Sequence, residues 1–193
     1  MRYESTHKEA THRHIVEVAS ERFRKEGIDS VGVASLMGDA GLTHGGFYSH
    51  FSSKEGLVEE ALEEAMTATF EHLAEAAREG GIEGLVRYYL RPEHRDHPET
   101  GCVAATLTPE IARRAKPIRA AAAQTFARVV ALIESLLPWP EPATAQAIFA
   151  TLVGTLQLAR TVPDPALSAA ILDAGRAAAL TLASGGLKSS SLT

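Results

Sequence analysis

At 193 residues, 45% apolar and 22% charged, the chain is bounded to one or two small domains of ordinary globular composition. Its net charge of −5 lacks the strongly basic balance, a pI above about 9, that usually marks a nucleic-acid-binding domain, and its one cysteine, Cys102, excludes an internal disulfide framework and suits a reducing compartment. No apolar stretch reaches the roughly 18 residues of a membrane span, and "MRYESTHKEATHRH" lacks the apolar core of a secretory signal, so a cytoplasmic protein without membrane contact is expected.

Abundant alanine and few β-branched residues point to an all-α fold. Thr6 and Glu9 have capping-box spacing and open a first helix through about Lys25. Ile15, Val18, Ala19 and Phe23 form its apolar stripe, with Arg22 lending its stem, and Gly27 stops it. Gly32 can cap a short second helix, Val33 to Ala40, with Leu36 and Met37 inward. Gly41 makes a turn, Leu42 anchors inward, and Thr43 caps a third helix from His44 to about Phe51. Ser52 and Glu55 form a second capping box, opening a fourth helix to about Glu79.

The remainder reads as helix again. "GIEGLVRYYL" is a short fifth helix, and "RPEHRDHPETG" a polar loop. A sixth helix covers about Ala104 to Arg114, and Pro117 sits in the first turn of a seventh ending near Leu137. After the rigid "PWPEP" come two last helices, about Ala143 to Thr161 and, beyond "VPDP", to about Ala183. The tail, residues 186–193, is expected to be disordered.

The stretch "GLTHGGFYSHFSSKEGL", residues 41–57, carries the chemistry. Two adjacent glycines each cost a helix about 1 kcal/mol relative to alanine. Placed on a helix, Phe47 and Phe51 share one face that must pack inward, while His44, Gly45 and Tyr48 share another that bears no large aliphatic group. A short helix of this kind fits a helix-turn-helix recognition element. The major groove is about 12 Å wide and a helix with its side chains about 10–12 Å across, so missing side chains at Gly45 and Gly46 allow closer approach. A loop followed by a short strand is the plainer reading, but the caps at Thr43 and Ser52 leave no room for a paired strand.

The segment "VGVASLMGDAGLTHGGFYSHFSSKEGLVEEAL", residues 31–62, resembles the DNA-binding segment of the TetR family of bacterial transcriptional regulators. The likeness runs closely through residues 12–62, and the later helices agree in number and order. It implies an all-helical homodimer with a three-helix helix-turn-helix domain at residues 1–55, and an effector-binding and dimerisation domain at 56–185. It implies also a regulator, most often a repressor, released from a palindromic operator by a small-molecule effector. By matching position, Thr43 resembles a cap that reaches a phosphate; His44, Gly45, Gly46 and Tyr48 resemble groove-lining positions; His50 and Lys54 resemble phosphate contacts. Gly32 and Met37 depart from the family pattern, which more often has a Ser or Thr cap and a small residue there.

Residues 1–54 carry seven Lys/Arg and seven Asp/Glu. That neutrality is the best support for an alternative reading, a helical ligand- or partner-binding protein that no longer binds DNA. Phosphate contacts from a few side chains and helix N-termini answer it, and protonation of His44 and His50 near phosphates predicts tighter binding at pH 6 than at pH 8.

Other residues invite other chemistry. His7 and His14 share a helix face but lie about 10.5 Å apart, and His12 points elsewhere, so no single metal bridges them and all three read as solvated. His94, Asp96, His97, Glu99 and Cys102 form a loop that could hold zinc, yet such loops are usually solvated; no metal and no cofactor are expected. Some TetR relatives use a thiol near the position of Cys102 to sense electrophiles, but a small buried hydrophobe is the simpler reading. Phe70, Tyr88, Tyr89, Cys102, Thr106, Phe126, Phe149 and Gln157 are candidate effector-lining residues, each of which could equally be core. No catalytic constellation is evident, so enzymatic activity is not expected. Small residues on the last two helices (Ala143, Ala147, Ala150, Gly154, Ala170, Ala174, Ala178) suit a four-helix interface between two subunits.

Overall fold

A computed structural model describes residues 2–185, with side chains from His7 onward. The expected disordered tail at 186–193 lies outside the described residues. Eight α-helices follow in order: α1 (Arg2–Glu26), α2 (Val33–Asp39), α3 (Lys54–Tyr89), α4 (Pro92–Asp96), α5 (Val103–Ile111), α6 (Lys116–Ser135), α7 (Pro142–Thr161) and α8 (Pro165–Gly185). Two 3-10 helices, His44–Ser49 and Pro98–Thr100, complete the order, and no β-strand occurs among the described residues. Contacts divide the chain into two compact units, one of Met1–Ala68 with Pro98–Ala122, the other of Thr69–His97 with Ala123–Thr193.

In the first unit α1 begins at Arg2, so Thr6 lies inside the helix and not at its cap. Its stripe is buried through Ile15, Ala19 and Phe23. Gly27 ends it at φ +88°, a conformation that disfavours any side chain. Gly32 is the N-cap of α2, without a side-chain bond, and Leu36 and Met37 are buried. Charged forks fasten these elements. Arg22 pairs with Glu26 and Asp39, tying α1 to α2. Arg114, beyond α5, pairs with Asp29 and with Glu55 at the start of α3, while Glu110 accepts the Asp29 N–H at 3.1 Å. Arg24 donates to the carbonyls of Ser20 and Gly101, which secures the chain before α5; burial pulls its guanidinium below the ordinary value, against the pull of Glu64.

In the second unit the sequence's "polar loop" is a correction: residues 92–96 form α4, with Pro92 in its first turn. The buried His94 ring donates from Nδ1 to the Tyr89 carbonyl at 2.6 Å, Arg160 donates to the carbonyls of His94 and Arg95, and Arg95 reaches the Ser168 hydroxyl at 3.1 Å. These bonds satisfy backbone and side-chain groups that an open loop would leave to water. The α7 and α8 helices pack closely at Gly175, where an added Cβ would stand 2.2 Å from Thr155 Cγ2. Asp164 opens α8, its carboxylate accepting the N–H groups of Ala166 and Leu167 at 2.8 and 3.1 Å. The expectation that no stretch reaches a membrane span needs correcting: Pro165–Gly185 is long and apolar enough by length and composition alone. The cause is its alanine and leucine content, which outweighs Asp173 and Arg176 in the middle of the helix; a core helix of a helical protein meets the same criterion.

The α3 helix is broken where the fourth helix was expected to give way to the fifth. Gly80 sits at φ −135°, ψ 16° and Gly81 at φ 58°, ψ −147°. The second pair is open almost only to glycine. Beyond the break the chain returns so tightly that a Cβ on Gly84 would lie 2.4 Å from the Ala76 carbonyl oxygen. Gly81→Ala is therefore expected to destabilise the fold by about 1–3 kcal/mol, read as a lowered denaturation midpoint, whereas Gly80→Ala, with open space at its Cβ and negative φ, costs clearly less.

Candidate nucleic-acid interface

The turn that precedes the interface forms as its glycine requires. Gly41 takes φ +71°, and its N–H and that of Leu42 bond to the carbonyls of Gly38 and Met37, closing α2. Leu42 is half-buried. Thr43 is the N-cap of the next element in extended conformation (φ −83°, ψ 149°), but its side chain makes no capping bond.

The expected two-turn helix to Phe51 is a 3-10 helix, His44–Ser49, which corrects both its type and its end. Its first bond runs from Gly46 N–H to the Thr43 carbonyl, an i to i−3 link, and the Ser49 hydroxyl donates to the Gly46 carbonyl at 2.6 Å. Two successive glycines weaken the α form, and a 3-10 form is common in so short a piece. With three residues per turn, positions 45 and 48 eclipse. Gly45 and Tyr48 accordingly face outward together. An added Cβ on Gly45 meets nothing within 4 Å, and Tyr48 is 69% exposed. The His44 ring lies 6.3 Å from that of Tyr48 and is exposed as well.

Beneath them Phe47 and Phe51 are buried, their rings stacked at 5.5 Å, and Phe47 meets Tyr48 edge-on at 5.2 Å. Gly46 is half-buried, and its missing Cβ would stand 3.7 Å from Met37 Cε. The large Met37, one of the two departures from the family pattern, is thus accommodated beside a glycine. The second capping box does not form. Ser53, not Ser52, caps α3 by accepting the Gly56 N–H at 3.1 Å, and Glu55 turns to Arg114.

The two residues matched to phosphate contacts are already engaged. Lys54 Nζ donates to the Ile28 carbonyl at 2.7 Å, which leaves two of its three N–H groups for other acceptors. His50 forms the C-cap of the 3-10 helix. Burial first, then His12 and Lys8, hold its imidazole below the ordinary histidine range, so it favours the neutral form. From Ala40 to Lys54 the chain bears no carboxylate, so the neutral tally of residues 1–54 is not the charge of this face.

His12 was missed. Read as solvated, it is half-buried, stacked on Phe51 at 4.4 Å and 2.6 Å from the Glu60 carboxylate. A signal existed: position 12 continues the stripe of Ile15, Val16 and Ala19 by helical spacing. His7 and His14 are exposed.

The candidate effector-lining residues divide. Cys102 (buried) and Thr106, whose hydroxyl donates to the Cys102 carbonyl at 3.2 Å, belong to the first unit; the other six belong to the second. There Phe126 and Phe149 lie 6.0 Å apart, Arg128 covers the Phe70 ring at 4.1 Å, and Arg91 covers Tyr88 at 3.7 Å. Tyr89 is buried against the His94 ring, and Gln157 is half-buried. Among the described residues no three His, Cys, Asp or Glu side chains are grouped to hold a metal ion.

Comparison with known proteins follows the same outline. Residues 15–61 match the family model described as "Bacterial regulatory proteins, tetR family". No curated protein matches. Among solved structures, a TetR-family transcriptional regulator from Agrobacterium tumefaciens superposes with a TM-score of 0.77 at 20% identity, over 92% of this chain and 99% of that one. The reduced form of E. coli NemR gives 0.73 at 20% identity over 88% and 95%, and SCO4454, a TetR-family regulator from Streptomyces coelicolor, 0.70 at 22% over 91% and 97%. Residues 15–61 are a module of the tetR family of bacterial regulatory proteins, and the chain that carries them has the all-helical fold of TetR-family transcriptional regulators.

Proposed function

We propose that this chain is a homodimeric, sequence-specific DNA-binding regulator, and specifically a repressor that leaves a palindromic operator when a small effector binds. The observation that carries DNA binding is the outward face of the 3-10 helix. Gly45 stands in open space beside the exposed Tyr48 and His44, over a buried Phe47–Phe51 base, in a stretch without carboxylates. Tyr48 and His44 offer donors and acceptors to base edges, Gly45 permits close backbone approach, and Thr43, His50 and Lys54 flank them as phosphate contacts. Residues 1–55 act as the DNA-binding domain and 56–185 as the effector and dimer domain, a functional division that need not coincide with the two packing units.

Dimerisation rests on the faces that α7 and α8 leave open. Their mutual contact uses Gly175 and Thr155, whereas Ala143, Ala150, Ala170, Ala174 and Ala178 stay exposed, together with Leu158 and Leu167. Only 28% of the apolar window in α8 is buried within one chain. A second copy covering this face supplies the second recognition element that half-sites about one helical turn, roughly 34–36 Å, apart require. Effector binding within the second unit, among Phe70, Tyr88, Tyr89, Phe126, Phe149 and Gln157, then changes the separation of the two recognition elements, which needs only a few kcal/mol of differential affinity. The rival reading, a helical binding protein that has lost DNA affinity, draws on the neutral tally of residues 1–54.

Electrophoretic mobility shift on the DNA flanking the chain's own gene separates the two readings, since the rival shows no shift. Gly45→Leu is expected to keep the native melting temperature, given the open space at that Cβ, yet to abolish the shift; a retained shift contradicts the role given to the glycine. For wild type, affinity at constant salt rises from pH 8 to pH 6, by at most about tenfold per pH unit for each proton taken up, and a flat profile removes His44 and His50 from the contact set. Ala174→Glu converts the dimer to monomer in sedimentation analysis, while an unchanged mass moves the interface elsewhere.

A further inference from the structure

Behind the interface, three elements meet at a pair of imidazoles. His12 on α1 has its Nε2 2.6 Å from Glu60 Oε2 on α3. Its ring stacks on Phe51 at 4.4 Å and lies 6.0 Å from the ring of His50. His50 lies 6.4 Å from Phe51, and its Nδ1 is buried with no hydrogen-bond partner. The charged groups facing the pair are Lys8 on α1 and Glu60 on α3. His44, on the same 3-10 helix as His50's cap, turns to Tyr48 instead.

We propose that His12 is a positioning residue for the DNA interface: anchored by Glu60 and stacked on Phe51, it governs how readily His50 takes a proton and hence how DNA affinity responds to pH. The inference rests on the DNA-binding reading above. His12 and Lys8 stand close enough that positive charge on either opposes a second charge on His50. A protonated His50 also carries N–H on both nitrogens, and the one at the buried Nδ1 has no acceptor. Burial, His12 and Lys8, in that order, therefore keep His50 neutral in the free protein. A phosphate close to the C-cap reverses the balance, because a negative neighbour favours the charged imidazole. DNA capture then takes up a proton whose availability His12 sets.

The test follows the His50 imidazole by proton–carbon NMR in the full chain without DNA, assigned through His50→Gln. His12→Gln keeps a hydrogen-bonding group toward Glu60 but cannot become charged, and His12→Phe keeps the stack on Phe51. Each is expected to raise the His50 midpoint, with Lys8→Gln raising it by less. The pH profile of binding to a random-sequence duplex at fixed low salt moves upward by the same amount. A His50 midpoint unmoved in both His12 variants overturns the proposal, whatever the DNA profile does. A raised midpoint with an unmoved affinity profile overturns the link from His50 to DNA and leaves the binding reading standing. If the wild-type chain binds neither this duplex nor the DNA flanking its gene, the DNA-binding reading fails before any variant is made, and this proposal fails with it.

Discussion

The burial of Phe47 and Phe51 is the interaction on which the interface depends. A six-residue 3-10 helix containing two glycines has too few hydrogen bonds, and too much backbone entropy to lose, to hold itself. Burying two phenylalanine rings supplies about 1.5–3 kcal/mol each. Because the inward side carries that energy, the outward side can be nearly bare. The same stack reaches α1 and α3 through His12, so the orientation of the face is set by three elements and not by local helix propensity.

Charge is arranged on a similar division. Five acids of the first unit are drawn into internal forks: Glu26 and Asp39 to Arg22, Asp29 and Glu55 to Arg114, with Glu110 on the backbone of Asp29. These pairs stabilise the packing of α1, α2 and α3, and they engage Arg22, one of the seven basic side chains of residues 1–54, together with Arg114. What remains facing outward between Ala40 and Lys54 is a carboxylate-free strip of imidazole, phenol, hydroxyl and ammonium groups. For a polyanion the local field of that strip matters more than a net charge of −5.

The second unit shows the same economy with different residues. Arginines 95, 160 and 176 spend their donors on carbonyls and a hydroxyl around α4, and a glycine at 175 brings α7 and α8 together. The alanines flanking that contact are left uncovered. Small side chains here have two distinct uses: one permits the internal approach, the others keep an outer face flat.

The sequence by itself determined the helical order, the breaks at Gly27, Gly41 and Gly80–Gly81, and the inward Phe47 and Phe51 against the outward Gly45 and Tyr48. Those signals act within a few residues, through backbone conformation and side-chain period, and so are legible in a single chain. Only the tertiary structure decided that the element at His44–Ser49 is 3-10, that Ser53 caps α3, that residues 92–96 are helical, and that His12 is packed instead of solvated. The packing of His12, the turning of Glu55 to Arg114 beside the Ser53 cap and the anchoring of α4 turn on groups brought back from afar: His12 and Glu60 are 48 residues apart, Arg114 and Glu55 59, Arg160 and His94 66. Such pairings are chosen by which surfaces the packed helices bring together; helical spacing sets position 12 on the buried stripe but does not name Glu60 as its partner.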